Sequence, residues 1–192
     1  LKGVKMPKHY DDPQEIARMM LELKRLRQTA QRSPFTGLLT IFCYVLWKDY
    51  KYSQTKLAKF CEDFSKYDAE YDGQNISKLD NGLWDYADWK VEFTPYTEKD
   101  YPFYKSPMAQ KVVREQVKAN NEINEKATRY LTYGFTVLMN DGTKKQKLTN
   151  IKDKIQKRID EVTADERDKC IMDLWKELVD EAGIYIEKPV ID

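Results

Sequence analysis

Hydrophobic residues recur at three- and four-residue spacing along most of the chain, which predicts a succession of amphipathic helices. Ile16, Met19, Met20, Leu23, Leu26 and Ala30 form the first stripe. Asp12-Pro13-Gln14-Glu15 opens it with an aspartate cap, a first-turn proline and a glutamate three residues past the cap. This helix is predicted to end near Arg32, and residues 1–11 before it read as a flexible N-terminus. Ser33-Pro34 then caps a second helix to about Tyr50. It is apolar nearly all round (Phe35, Leu38, Leu39, Ile41, Phe42, Cys43, Val45, Leu46, Trp47) and is expected in the middle of a bundle, because no face of it suits water. A third helix opens at Ser53, with Tyr52 and Leu57 placed as a hydrophobic staple. Its stripe is Leu57, Phe60, Cys61, Phe64, Tyr67 and Tyr71, and Asp72-Gly73 ends it. A shorter fourth helix covers Ser77 to about Ala87, after which Trp89-Lys90-Val91-Glu92-Phe93 alternates as a brief strand does.

The stretch Thr94–Pro107 carries three prolines and four aromatics and is expected to pack along the surface as a seam. A second series follows. Ser106-Pro107 caps a helix with Val112, Val113 and Val117 inward, and Asn120-Asn121 suggests a break. A helix from about Ile123 to Asn140 ends at Asp141-Gly142. Leu148, Ile151, Ile155, Ile159 and Val162 line the next, and Thr163-Ala164-Asp165-Glu166 is a second capping box. The last helix ends at Ala182, with Gly183 as terminator, and Ile184, Ile186 and Val190 form a second strand-like piece.

The two series align with each other. Thr40, Val45, Leu46 and Asp49 answer to Thr132, Val137, Leu138 and Asp141. Leu57, Phe60, Phe64, Glu70 and Tyr71 answer to Leu148, Ile151, Ile155, Glu161 and Val162. Ile76, Leu79, Leu83, Ala87, Trp89, Val91 and Glu92 answer to Ile171, Leu174, Leu178, Ala182, Ile184, Ile186 and Glu187. The last block carries more than helical periodicity: in both copies a leucine-spaced helix closes at alanine and alternating apolar residues lead to a glutamate. The expectation is an all-α protein of two tandem repeated subdomains, about four helices each, related by a pseudo-twofold. The two strand-like pieces are candidates to pair across it. The predicted divisions are 1–11, 12–93 (first repeat), 94–105 (aromatic and proline-rich linker) and 106–192 (second repeat).

Charge adds a polarity to this picture. The net charge is +1, so nothing global marks a nucleic-acid binder, but residues 1–59 carry 12 basic and 5 acidic side chains while residues 60–104 carry 4 and 11. Residues 105–169 return to 15 and 10. Such a distribution either steers a charged partner or records the solvated faces of helices. The three cysteines, Cys43, Cys61 and Cys170, fall at apolar helical positions without metal-site spacing, which predicts reduced core thiols and a cytoplasmic setting. The longest apolar run, Gly37 to Trp47, is too short to span a bilayer, so no membrane partner is expected.

Catalytic chemistry finds little support. One histidine, His9, lies in the N-terminal stretch, and no phosphate loop, HExxH or GxSxG motif occurs. The recurring carboxylates Glu92 and Glu187 could meet at an axis and bind a hard cation; they could equally cap helices or pair with lysines. No enzyme activity, cofactor or metal is expected. Nucleic-acid binding would rest on Lys144, Lys145, Lys147, Lys154 and Arg158, of which Lys147, Lys154 and Arg158 share one helical face. Trp89, Tyr101 and Phe103, amid the acidic region, are candidates for a protein interface or for the core joining the two copies. An acidic aromatic surface beside a basic one suits a protein that occupies the nucleic-acid channel of another.

The blocks IFCYVLWKDYKYSQTKLAKF and LWDYADWKVEF, an apolar helix ending in Asp, a Lys-Leu helix and a leucine helix closing as Ala-x-Trp-x-Val-Glu, resemble small helical proteins of phages and prophages of Gram-positive bacteria. The second copy, GFTVLMNDG and EAGIYIE, keeps the skeleton and loses the tryptophan. The resemblance implies a phage-borne protein acting in the host cytoplasm. By class it suggests an inhibitor of a host nucleoprotein such as a CRISPR nuclease, an anti-CRISPR. A sequence-tolerant DNA or RNA binder is the alternative.

Overall fold

The apolar stripes do become helices. The computed structural model describes residues 12–31, 34–71, 74–161 and 167–189. Within these lie α1 (Pro13–Gln31), α2 (Phe35–Lys48), α3 (Gln54–Tyr71), α4 (Ser77–Ala87), α5 (Pro107–Asn140), α6 (Lys145–Glu161) and α7 (Arg167–Ala182), with a 3-10 turn at Glu98–Asp100. The protein is all-α, and the described residues contain no strand. Residues 1–11, Ser33, the Asp72-Gly73 terminator and the Thr163–Glu166 capping box lie outside the described residues.

Two sequence expectations are corrected. The segments after α4 and α7 do not pair as strands. Each is fixed to a helix: Trp89 Nε1 donates to Thr149 Oγ1 of α6 (3.1 Å), and Trp175 Nε1 of α7 donates to the Ile186 carbonyl (2.9 Å). Ile184 and Ile186 are buried while Tyr185 between them is 94% exposed. Period-two alternation marks extended backbone lying on a surface, and that surface here is helical. The break expected at Asn120-Asn121 is also absent, because α5 runs unbroken for 34 residues. Asparagine disrupts helices when its amide competes for nearby backbone. Here Asn120 Nδ2 donates to the Tyr101 hydroxyl (2.7 Å), and Asn121 exchanges two bonds with the Tyr96 backbone (2.8 and 3.0 Å).

The chain divides into two compact units, Leu1–Ser33 with Phe93–Lys126, and Pro34–Glu92 with Ala127–Asp192. In the smaller unit α1 and the first part of α5 bury Met19, Leu23, Tyr104, Ala109, Val112 and Val113, with Ile16, Tyr101 and Val117 packed alongside. Asp12 caps α1, its Oδ1 accepting the Gln14 N–H at 3.0 Å. Arg27 pairs with Glu115 (2.9 Å), and the buried Gln116 Nε2 donates to the Met19 carbonyl (3.2 Å). The segment 94–106 lies along α5, held by the asparagines and by the Arg114–Glu98 pair (3.2 Å).

In the larger unit α2 is the centre. Ile41 to Leu46 are all buried, and α2 packs on α3, α6 and α7. Its Phe42 ring contacts Phe60, Phe64 and Phe135 at centroid distances of 5.6, 6.0 and 5.2 Å. Gly134 of α5 makes this possible, since a β-carbon there would stand 2.3 Å from the Phe42 ring. Tyr133, fully buried, stacks against Tyr67 and hydrogen-bonds the Tyr71 carbonyl (3.3 Å). Burial of each such side chain contributes roughly 1.5–3 kcal/mol.

Candidate interaction surfaces

Helix α6 buries Leu148, Ile151 and Ile155 and turns its lysines outward, as its periodicity requires. The cations do not stand free. Lys145 pairs with Asp88 at the end of α4, which offsets the cost of a cation at a helix N-terminus. Lys147 lies over the Tyr50 and Tyr52 rings (5.4 and 5.1 Å), and Lys152 over Trp89 (4.9 Å). Lys154 reaches Asp49 at 4.0 Å. Arg158 lies over the Tyr44 ring (5.3 Å) and bonds Glu161 (2.9 Å), which Lys157 also approaches at 3.8 Å. Lys144, exposed, precedes the helix. Apart from Lys144, the basic residues singled out in the sequence are therefore on one helix, but all six cations of that helix face carboxylates or aromatic rings of the protein itself. A polyanion would compete with those partners for each charge.

The aromatic candidates part ways. Trp89 is half-buried, with its ring edge-on to Phe135 at 5.1 Å, and serves the core of the larger unit. Tyr101 is half-buried in the smaller unit. Phe103 in the same unit is 65% exposed, in a segment that also presents exposed Tyr96, Glu98 and Asp100. Trp84 is a large exposed aromatic of the larger unit, at 54%, on α4 beside exposed Asp85 and just before exposed Asp88. The signal for it was in the sequence: Leu79, Leu83 and Ala87 set the inward face of α4, and Trp84 stands about 100° round the helix from Leu83.

A polar network absent from the sequence reading joins α2, α6 and α7. The Tyr44 hydroxyl donates to Glu177 Oε2 (3.0 Å), and Lys48 pairs with Glu177 and with Glu181 (3.8 Å). The Lys48 ammonium holds the Glu177 carboxyl below its ordinary value, while burial, and then the Glu177 contact, pushes the Tyr44 hydroxyl up. On α4, burial raises the Asp80 carboxyl, against a lowering hydrogen bond from Thr132 Oγ1 (3.0 Å). Glu92 is exposed and pairs with Lys90 at 2.7 Å, and Glu187 is exposed. Among the described residues no group of three or more His, Cys, Asp or Glu gathers where it could hold a metal ion, and no helix is long and apolar enough to cross a membrane. No family model matches the chain, and no match is found among curated proteins or solved structures.

Proposed function

We propose that the chain is a duplicated helical module that acts by binding another protein and not by catalysis, its target a host nucleoprotein whose nucleic-acid channel it occupies. The duplication is supported by backbone geometry. Four described residues have left-handed φ: Lys51, Asp88, Gly142 and Gly183. Asp88 answers to Gly183, and Lys51 lies between the Asp49 and Leu57 blocks as Gly142 lies between those of Asp141 and Leu148, so a left-handed residue recurs after α2 and α5, and after α4 and α7. Cross-links recur as well. The start of α3 reaches the end of α7 (Gln54 Nε2 to the Gly183 carbonyl), as the start of α6 reaches the end of α4 (Lys145 to Asp88). Asp49 takes Lys154 of α6, and Asp141 takes Lys59 of α3 at 2.6 Å. These reciprocal contacts favour two modules folded onto one another about a pseudo-twofold.

The binding role is carried by one observation: two large aromatics, Trp84 and Phe103, are exposed in the stretch 60–104, which carries 11 acidic side chains against 4 basic ones. Aromatic anchors with a negative surround fit a cationic, nucleic-acid-binding partner. A phage-borne inhibitor of a CRISPR nuclease, working in the host cytoplasm, is the reading this favours. Co-expression with a CRISPR nuclease and a targeted plasmid tests it. Plasmid survival is expected with the native chain and loss of protection with Trp84→Ala combined with Phe103→Ala. Clearance of the plasmid in the presence of folded native protein, across nuclease types, overturns it.

Direct DNA or RNA binding is the second reading, favoured by the exposed Lys144, Lys145, Lys147 and Lys154 along α6. It requires affinity that falls steeply with salt and is reduced in Lys147→Ala with Arg158→Ala. Absent or salt-independent binding overturns that reading.

A further inference from the structure

The sequence showed three cysteines without a pairing, and the fold supplies one. Cys43 on α2 and Cys61 on α3 bring their sulfurs to 3.4 Å. Cys43 is fully buried, Cys61 is partly exposed, and the Phe42 and Phe60 rings beside them are in contact at 5.6 Å. The second module carries Phe135 and Lys152 at the corresponding positions, so the pair belongs to the first module alone. We propose that Cys61 and Cys43 form a dithiol modification site that small-molecule disulfides oxidise to an intramolecular disulfide, tying α2 to α3.

The two thiols differ in the way the reaction needs. Cys61 is partly exposed and can meet a reagent, while Cys43 is fully buried behind it, so Cys61 is the attacking thiolate and Cys43 the resolving thiol. Their shared hydrogen bond lowers the Cys61 thiol below its ordinary value, and the same bond, then burial and the charge on Cys61, push the Cys43 thiol up. In the first step Cys61 Sγ attacks one sulfur of the small disulfide, the S–S bond of the reagent breaks, and one thiolate leaves. In the second, Cys43 gives its proton to that thiolate and its Sγ attacks Cys61 Sγ, which expels the second thiolate; solvent protonates it. One reagent disulfide is reduced to two thiols as two protein thiols become one disulfide. The sulfurs have to close from 3.4 Å to about 2.05 Å. The product links the central helix to its hairpin partner through a short loop, which restricts the unfolded chain.

The test treats the folded full chain with glutathione disulfide and then alkylates it in denaturant. Two of the three thiols should be lost, peptide mapping should join Cys43 to Cys61, and dithiothreitol should restore all three. Melting of the oxidised form should rise by roughly 5–10 °C. Cys170→Ala should still lose its two remaining thiols, and Cys61→Ala should keep both of its own and form no disulfide. Full alkylation after oxidation, a persistent mixed disulfide on Cys61, or a bridge involving Cys170 would overturn the proposal. The mapping is made on the native chain, so it stands even where a cysteine variant folds poorly.

Discussion

At Gly134 the tolerance is smaller than a methyl group. A β-carbon there would meet the Phe42 ring at 2.3 Å, and that ring is locked among Phe60, Phe64 and Phe135. Gly134→Ala is expected to destabilise by about 1–3 kcal/mol in chemical denaturation. Lys51 is the opposite case: an exposed lysine held at φ 56, in the left-handed region that favours glycine. The left-handed backbone costs a side-chain-bearing residue about 1–2 kcal/mol. Glycine relieves it at some cost in unfolded-state entropy, so Lys51→Gly should stabilise by about 0.5–1 kcal/mol. Two carboxylates give opposite pH signatures. The folded-state pKa of Asp80 is raised by burial, so its contribution is fully present in acid and is lost as pH climbs through that value. Asp80→Asn, which keeps an acceptor for Thr132, should melt higher than the native chain at pH 7, with the gap closing toward pH 4. Glu177 is lowered, chiefly by Lys48, so its contribution is present at neutral pH and vanishes as pH falls through the depressed value. Glu177→Gln should melt lower at pH 7 and converge with the native chain in acid. None of these residues announces itself in the sequence except as a type, because a close approach, a φ angle and a partner are all made by distant chain.

At the scale of elements, periodicity placed the helices well, since an amphipathic stripe is a local property. The bounds of α1, α4 and α7 at Gln31, Ala87 and Ala182 fall within a residue of the pattern's ends. Periodicity misled where one signal has two causes. The alternation at 184–186 meant an extended tail on helices, with Ile184 and Ile186 inward and Tyr185 outward. Ile186→Ala should therefore cost about 2–4 kcal/mol and alter Trp175 fluorescence, since Trp175 bonds the Ile186 carbonyl, while Tyr185→Ala should be neutral within ~0.5 kcal/mol in the same denaturation assay. Helix α6 teaches a related lesson. Its lysines were legible, but the rings and carboxylates under them (Tyr44, Tyr50, Tyr52, Trp89, Asp49, Asp88) come from α2, the turn after it and the end of α4.

At the scale of the molecule, the larger unit takes its helices from two separate stretches, 34–92 and 127–192. Its centre, α2, is apolar on every side and packs on α6 and α7 as well as on its neighbour α3. A fragment of residues 34–92 should therefore lack cooperative structure, and far-UV circular dichroism should show helix appearing only when residues 127–192 are added. A cooperative melt of the first fragment alone would mean that residues 34–92 close their own core.

What the amino-acid order determined by itself was the all-α class, the place of most helices and their inward faces, because spacing, caps and turn residues act over a few positions. Only the tertiary structure decided which sulfurs meet, which tryptophan stays in water and how the charges of α6 are shared. Those depend on surfaces brought together from stretches that can lie more than a hundred residues apart, as Arg158 and Tyr44 do, and no local pattern encodes which of several apolar faces a helix will cover.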